Sequence, residues 1–422
     1  MKISVIGGGS TYTPELMDGL ITHASRMDLD EVCLMDIDPG RLDVVGGFCR
    51  RMLENSGSPF SLKLTGELDS ALDGSSFVIT QVRVGGQSGR HKDIMLGLDH
   101  DLIGQETTGV GGFAKALRTV PVILDVCRRM ERSCPDAWLI NFTNPSGIVT
   151  EAVLKHGRTR VIGLCNIPVH MKMDVAELLG VPAEKVELDY IGLNHLSWVR
   201  KVMVDGEDVL PSMMQKLKQA GRPVNIPEEL DYPQEFLEAL GAIPNSYLHY
   251  YYRTDEALAK LKTKKKSRAQ EVMDVEQELL EMYKDPDLKT KPAALDKRGG
   301  AYYSTAAVEL MNAIISNEGS THVVNVRCEN AIECLPDDCA VEIPCRVDAA
   351  GAHFLELDQP DAKIRGLLQH VKAYEELAVQ AAVTRKRQAA IMALVSHPLV
   401  ADPDKALILV DEISKVHGIR WS

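Results

Sequence analysis

Two side chains of metal-binding type, Cys165 and His195, each follow an apolar run of strand character. Residues 161–164 lead into Cys165-Asn166-Ile167-Pro168, and residues 190–193 lead into Asn194-His195. A thiolate and an imidazole suit a borderline transition metal, and two protein ligands leave coordination positions open for substrate oxygens. Ligands of open α/β sheets collect beyond the carboxyl ends of the strands, which is where both residues are expected. The alternative is a buried cysteine and a hydrogen-bonded core histidine, since free cysteine is among the most buried residue types.

A second candidate site opens the chain. Gly7-Gly8-Gly9-Ser10-Thr11 lies between an apolar strand at 2–6 and a helix beginning near Pro14. Such a turn lets the backbone approach a pyrophosphate at a helix N-terminus. The dinucleotide fingerprint expects a third small residue where this chain has Tyr12, so the match is imperfect. The next strand, at 32–35, ends in Asp36, placed to bind the ribose hydroxyls of NAD and to repel the extra phosphate of NADP. The alternative is a plain turn with a surface aspartate.

Further along, residues 81–112 are polar and rich in glycine and read as a long functional loop. Arg90 within it could grip a phosphate or carboxylate bidentately, or be an ordinary exposed arginine. Asn144, after a strand at 137–142, could orient a ligand or cap the helix that follows. Tyr232, Tyr247, Tyr250, Tyr251 and Tyr252 are expected to pack, because tyrosine acts as a base only when strongly activated. The lysines at 262–266 read as a solvated helix face, with Arg268 just beyond. Cys328, Cys334, Cys339 and Cys345 show no Cys-x-x-Cys spacing, which argues against a zinc cluster.

The elements that must position these residues fall into two textures. Strands at 2–6, 32–35, 77–80, 137–142 and 161–164 alternate with helices, which predicts an N-terminal Rossmann-like, doubly wound sheet over residues 1–168. From about 169 to 422 the pattern predicts a mixed α+β domain for substrate binding and oligomerisation. It has an antiparallel strand at 198–204, a glycine turn at Arg298-Gly299-Gly300 opening a helix, strands at 321–326 and 341–344, and helices at 364–395 and 404–416. The whole is an α/β protein.

Composition sets the boundaries. The 422 residues can bury a large core, and 47 basic against 60 acidic residues leave a net charge of −13. No nucleic acid is expected as a partner, because that needs a clustered basic face. No membrane is expected either, since no apolar run spans a bilayer and no signal-peptide layout opens the chain. Nine cysteines, an odd number spread thinly, fit a reducing cytoplasm.

Taken together, Gly7-Gly8-Gly9-Ser10, Gly104-Gln105-Glu106-Thr107, Thr143-Asn144-Pro145, Cys165-Asn166-Ile167-Pro168 and Gly192-Leu193-Asn194-His195 resemble glycoside hydrolase family four. The C-terminal half keeps Pro244-Asn245-Ser246-Tyr247 and Arg268-Ala269-Gln270-Glu271-Val272. This NAD-dependent family departs from the two-carboxylate glycosidases. Members that cleave α-glucosides typically carry Cys-Asp at the metal motif. Cys165-Asn166 resembles the 6-phospho-β-glucosidase branch, and Asn166 cannot donate a proton as a carboxylic acid would.

The resemblance implies a cycle in which C3 of the sugar gives a hydride to bound NAD⁺. The C2 proton is then removed, the aglycone leaves by elimination, water adds at C1 and the hydride returns. It implies a divalent metal, Mn²⁺ being expected, held by Cys165 and His195. It also implies NAD on Gly7, Gly8, Gly9, Ser10, Thr11 and Asp36, with Tyr247 as the base and Glu106 raising its basicity. Arg90, Asn144, Asn166 and Arg268 fall at substrate-binding positions. The substrate is then a phosphorylated disaccharide, such as cellobiose 6-phosphate, or an aryl glucoside. An NAD-dependent 2-hydroxy-acid dehydrogenase of the lactate or malate type would share the sheet, as would a non-catalytic NAD sensor, but neither needs the Cys/His pair. The C-terminal helices point to a homodimer or homotetramer.

Overall fold

The computed structural model describes residues 1–220, 232–298 and 303–422. Its larger sheet begins with six parallel strands: β1 (Lys2–Ile6), β2 (Glu31–Met35), β3 (Ser61–Thr65), β4 (Phe77–Thr80), β5 (Trp138–Asn141) and β6 (Arg160–Gly163). They lie in the spatial order β3-β2-β1-β4-β5-β6, the doubly wound order expected of a dinucleotide-binding sheet. Ile3, Val5, Val32, Leu34, Val78, Ile79, Leu139 and Ile140 are fully buried. Helices cover both faces, so these strands read as near-continuous apolar runs.

A smaller antiparallel sheet holds β7 (Val186–Leu193), β8 (Leu196–Val204), β9 (Glu207–Asp208) and β10 (Ile243–Pro244). The chain then returns to the first sheet. β11 (Ser320–Arg327), β12 (Ala340–Asp348) and β13 (Gly351–Phe354) continue it past β6 as antiparallel strands, giving nine in all. The seam between β6 and β11 is close: a Cβ added at Gly163 would lie 2.8 Å from the Asn325 Cβ.

Three expectations need correction. Residues 81–112 are not one loop, because a helix runs from Gly86 to Leu98. Its start uses Gly85 at φ 88°, and its buried Asp93 is held by a forked pair of hydrogen bonds from Arg118 at 2.8 and 2.6 Å. Those internal partners make a buried helix face look polar in sequence. The strand before His195 belongs to the smaller sheet, as one arm of the β7–β8 hairpin, and not to the sheet that delivers Cys165. The predicted helix at 364–395 is two helices, Ala362–Thr384 and Arg387–Val395, parted where Arg385 takes φ 60°. The glycine turn after Arg298 lies outside the described residues. Among the described residues no helix is long and apolar enough to cross a membrane.

Candidate active site

The loop after β1 is anchored before it meets any ligand. Gly7 and Gly8 both donate to the Met35 carbonyl, at 2.9 and 2.8 Å. A Cβ on Gly8 would lie 2.8 Å from that of Leu34, so only glycine lets the loop lie this close to β2. Asp36 accepts from Gly9 N–H at 2.9 Å and from Asp38 N–H at 3.0 Å, which holds its carboxylate at the loop's edge. A cleft of ≈ 800 Å³ opens here, at the point where the strand order reverses between β1 and β4. Gly7, Ser10, Tyr12, Asp36, Arg41, Asn144 and Arg298 are among the residues lining it. Ile37 is 87% exposed beside Asp36, an apolar surface suited to a flat base. Thr11 is fully buried instead: its hydroxyl accepts from Arg298 at 3.2 Å and its carbonyl from the Tyr283 hydroxyl at 2.9 Å.

Cys165 follows β6 at the start of the helix Ile167–Leu179. Ile167 N–H points at its sulfur at 3.5 Å, and the Asn194 side chain lies near enough to favour the thiolate. Burial and the nearby Glu342 carboxylate push the thiol up, while these donors favour the thiolate. His195 lies in the two-residue turn between β7 and β8 at φ 65°, a left-handed conformation in which histidine is over-represented. Its Nδ1 shares a hydrogen bond with the Thr107 hydroxyl at 3.1 Å. Burial, with Lys115 nearby, pushes the imidazole down to about 3, so it is neutral and able to ligate a cation. The Tyr247 ring stacks on His195 at 3.9 Å between centroids and 7° between planes. Burial, Tyr250, Cys165 and Glu106 raise the Tyr247 phenol, and Arg90 lowers it.

Glu106 is the hub of a buried basic cluster. It pairs with Arg83, with Arg90 at 2.8 Å and with Lys115 at 2.8 Å. Although burial works against ionisation, these three cations hold its carboxyl well below the usual carboxylate range. Lys115 is pushed down to about 7, first by burial and further by Arg83 and Arg90. Arg90 Nε is buried with no hydrogen-bond partner among the described residues, so its guanidinium has capacity for an anion.

The structure thus brings Cys165, His195, Tyr247, Glu106 and Arg90 into one cluster, with Asn144 on the adjoining cleft. Asn144 accepts from Ser146 N–H at 3.3 Å, so it bonds to the following helix as well as facing the cleft. Half-buried Asn166 precedes the helix Ile167–Leu179 without capping it. Arg268 stands apart. It begins the helix Arg268–Tyr283, is half-exposed, and bonds to Glu271 at 3.1 Å and to the Lys297 carbonyl at 3.5 Å. Among the described residues no group of three or more His, Cys, Asp or Glu side chains is placed to hold a metal. A neutral imidazole and a sulfur with helix N-terminal donors still fit a metal that shares its remaining positions with substrate.

The profile of family 4 glycosyl hydrolases matches residues 2–181, and that of the family's C-terminal domain matches residues 190–400. The chain belongs to family 4 of the glycosyl hydrolases. It is 41% identical over 99% of its length to a probable 6-phospho-beta-glucosidase of Bacillus subtilis, covering 96% of that protein. It is 39% identical over its whole length to a 6-phospho-beta-glucosidase of Escherichia coli, again covering 96% of it. The 6-phospho-beta glucosidase of Thermotoga maritima, solved with manganese, NAD⁺ and glucose-6-phosphate, superposes with a TM-score of 0.92 at 38% identity over 100% of both chains.

Within this family 4 chain, several residues of the cluster escape sequence reasoning. Lys115 hides in the apolar face of the helix Gly109–Ser133, between Phe113-Ala114 and Ala116-Leu117. A lone lysine on a core-facing helix is the signal that could have found it. Arg298 reaches Glu276 at 3.1 Å and the Thr11 hydroxyl from the far half of the chain, and nothing local in sequence announces that.

Proposed function

We propose that this chain hydrolyses 6-phospho-β-glucosides, such as cellobiose 6-phosphate or an aryl 6-phospho-β-glucoside, with NAD⁺ and a divalent metal, Mn²⁺, as cofactors. The observation that carries the reading is the Tyr247 ring stacked on His195, with Cys165 and Glu106 close enough to act on the phenol. When bound, NAD⁺ and the metal supply a reversible oxidation at C3, polarisation of the resulting carbonyl, and positive charge beside Tyr247.

The chain's own residues position and move the rest. Cys165 and His195 hold the metal, while Gly7, Gly8, Gly9, Ser10, Thr11 and Asp36 shape the NAD site, Thr11 from within the loop. Tyr247 takes the C2 proton on its phenolic oxygen, which starts elimination of the aglycone. Its pKa must fall for this, and Arg90 already acts in that direction. Glu106 fixes Arg90 beside the phenol and Lys115 beside His195 by pairing with both. Arg90 and Asn144 bind the substrate, the arginine fork suiting a phosphate. Asn166 contributes polarity without a proton to give. For Arg268 the reading asks more, since its guanidinium must exchange Glu271 and the Lys297 carbonyl for the phosphate. A cytoplasmic setting accords with NAD⁺ and a phosphorylated sugar. Exposed Met392, Leu407 and Ile408 on the C-terminal helices support a homodimer or homotetramer.

Hydrolysis of an aryl 6-phospho-β-glucoside tests the reading when run with and without NAD⁺ and Mn²⁺. Turnover should need both and should leave the NAD⁺ pool unchanged. A 2-hydroxy-acid dehydrogenase would instead convert NAD⁺ to NADH stoichiometrically.

A further inference from the structure

Beside Cys165 lies a buried carboxylate to which the reading above gives no task. Glu342, on β12, is fully buried. Its Oε2 accepts from the Tyr190 hydroxyl at 2.6 Å, and its Oε1 from the side-chain amides of Asn194 at 3.0 Å and Asn325 at 2.9 Å. All three donors are neutral, and a buried carboxylate is costly unless opposite charge lies close. The β6–β11–β12 seam sets it beside the end of β6 that leads to Cys165: Asn325 pairs with Gly163 on one side and with Glu342 on the other.

Two hydrogen-bonded branches leave this carboxylate. In the first, the Asn194 side chain that donates to Glu342 also lies near enough to Cys165 to favour its thiolate, and Asn194 immediately precedes His195. In the second, the Tyr190 hydroxyl accepts from Ser197 Oγ at 2.5 Å, and Ser197 Oγ accepts from Asn245 Nδ2 at 2.9 Å. Asn245 Oδ1 then accepts from Tyr247 N–H at 2.9 Å. One carboxylate is therefore tied by hydrogen bonds to the histidine turn and to the backbone of the stacked tyrosine, with Cys165 close beside it.

We propose that Glu342 is a positioning residue of the metal site, fixing Cys165 and the His195 turn through Asn194, and Tyr247 through Tyr190, Ser197 and Asn245. The inference rests on Cys165 and His195 being the metal ligands. Partners of this kind orient the ligating groups, and their loss typically weakens metal binding ~10–100-fold.

The test measures Mn²⁺ and NAD⁺ binding calorimetrically on the purified full chain, and the sulfur-to-metal charge-transfer band after loading with Co²⁺. Glu342→Gln and Asn194→Ala should each weaken Mn²⁺ binding about 10–100-fold. Each should also shift the Co²⁺ band and leave NAD⁺ affinity unchanged. The double variant should be little worse than either single one, because both cut the same link. Unchanged Mn²⁺ affinity and an unchanged Co²⁺ band in both single variants would overturn the proposal. If Glu342→Gln loses NAD⁺ binding through misfolding, Asn194→Ala alone decides by the same criteria. Cys165→Ala is the control: if it binds Mn²⁺ as tightly as the parent chain, the ligand assignment itself fails and this inference falls with it.

Discussion

Tyr247 is pulled two ways by its surroundings. Burial and the neighbouring Glu106 hold its proton on, while Arg90 works to remove it. Tyr247→Phe keeps the ring and its stack on His195 and removes only the phenolic oxygen. The thermal midpoint should therefore hardly move, while turnover falls by roughly 10²–10⁴-fold, the usual worth of a general base. Steady-state kinetics beside a melting curve checks both halves. An active Tyr247→Phe variant would move the base elsewhere, Tyr250 at 6.1 Å between ring centroids being one candidate.

Glu106 offers a second expectation at this scale. Its carboxyl sits well below 4.5 when folded, so its pairing stabilises the fold fully above about that pH and is lost as pH falls through the folded value. Removing the charge leaves Arg83, Arg90 and Lys115 buried without their anion, a loss of about 3–5 kcal/mol for a broken buried pair. Glu106→Gln should accordingly melt well below the parent chain at pH 7, and the gap should narrow as both are acidified. Melting curves from pH 7 to pH 3 measure this. A gap that stays constant with pH would mean that the pairing is not its source.

At the scale of elements, the cofactor end was largely legible in the chain. Apolar runs at β1, β2 and β4 to β6, with Pro14 opening the first helix, give the doubly wound core directly. Asp36 follows from its place at the end of β2, and Asp36→Ala should cost NAD⁺ affinity about tenfold while relaxing discrimination against NADP⁺. Isothermal titration with both nucleotides measures it, and an unchanged NAD⁺ to NADP⁺ ratio would remove Asp36 from the ribose site. Other elements were not legible, for physical reasons. The helix Gly86–Leu98 buries Asp93 against Arg118 and His417, so a core face carries charge and reads as loop. β3 has no fully buried residue, and its leucines alternate with polar residues, leaving no apolar run to notice. The histidine turn joins two strands of a different sheet, a placement that periodicity cannot supply. In the sequence the Tyr247 role came from family resemblance alone, because local composition argues for packing; the stack on His195 is what places the phenol beside the candidate ligands.

The whole molecule carries a net charge of −13 yet gathers Arg83, Arg90, Lys115 and Arg298 around one cleft. An anionic substrate is thereby favoured locally in spite of the overall charge. The unphosphorylated glucoside should turn over at least ~10²-fold more slowly, because it forgoes the charge-assisted hydrogen bonds that the basic cluster would make to a phosphate. Parallel assays on the two glucosides check this, and comparable rates would remove the phosphate site from the account. Sedimentation of the chain at micromolar concentration should give a dimer or tetramer, closed over the apolar face of the C-terminal helices.

The central claim is that the glycosidic bond breaks by elimination after the C2 proton has been removed, and not by direct displacement at C1. A base such as the Tyr247 phenolate exchanges its proton with solvent before the sugar recovers one. Hydrolysis of a 6-phospho-β-glucoside in deuterated water, followed by proton NMR or mass analysis of the released glucose 6-phosphate, reads this out directly. The account predicts deuterium at C2 of the product; active turnover that yields product with protium at C2 would contradict it.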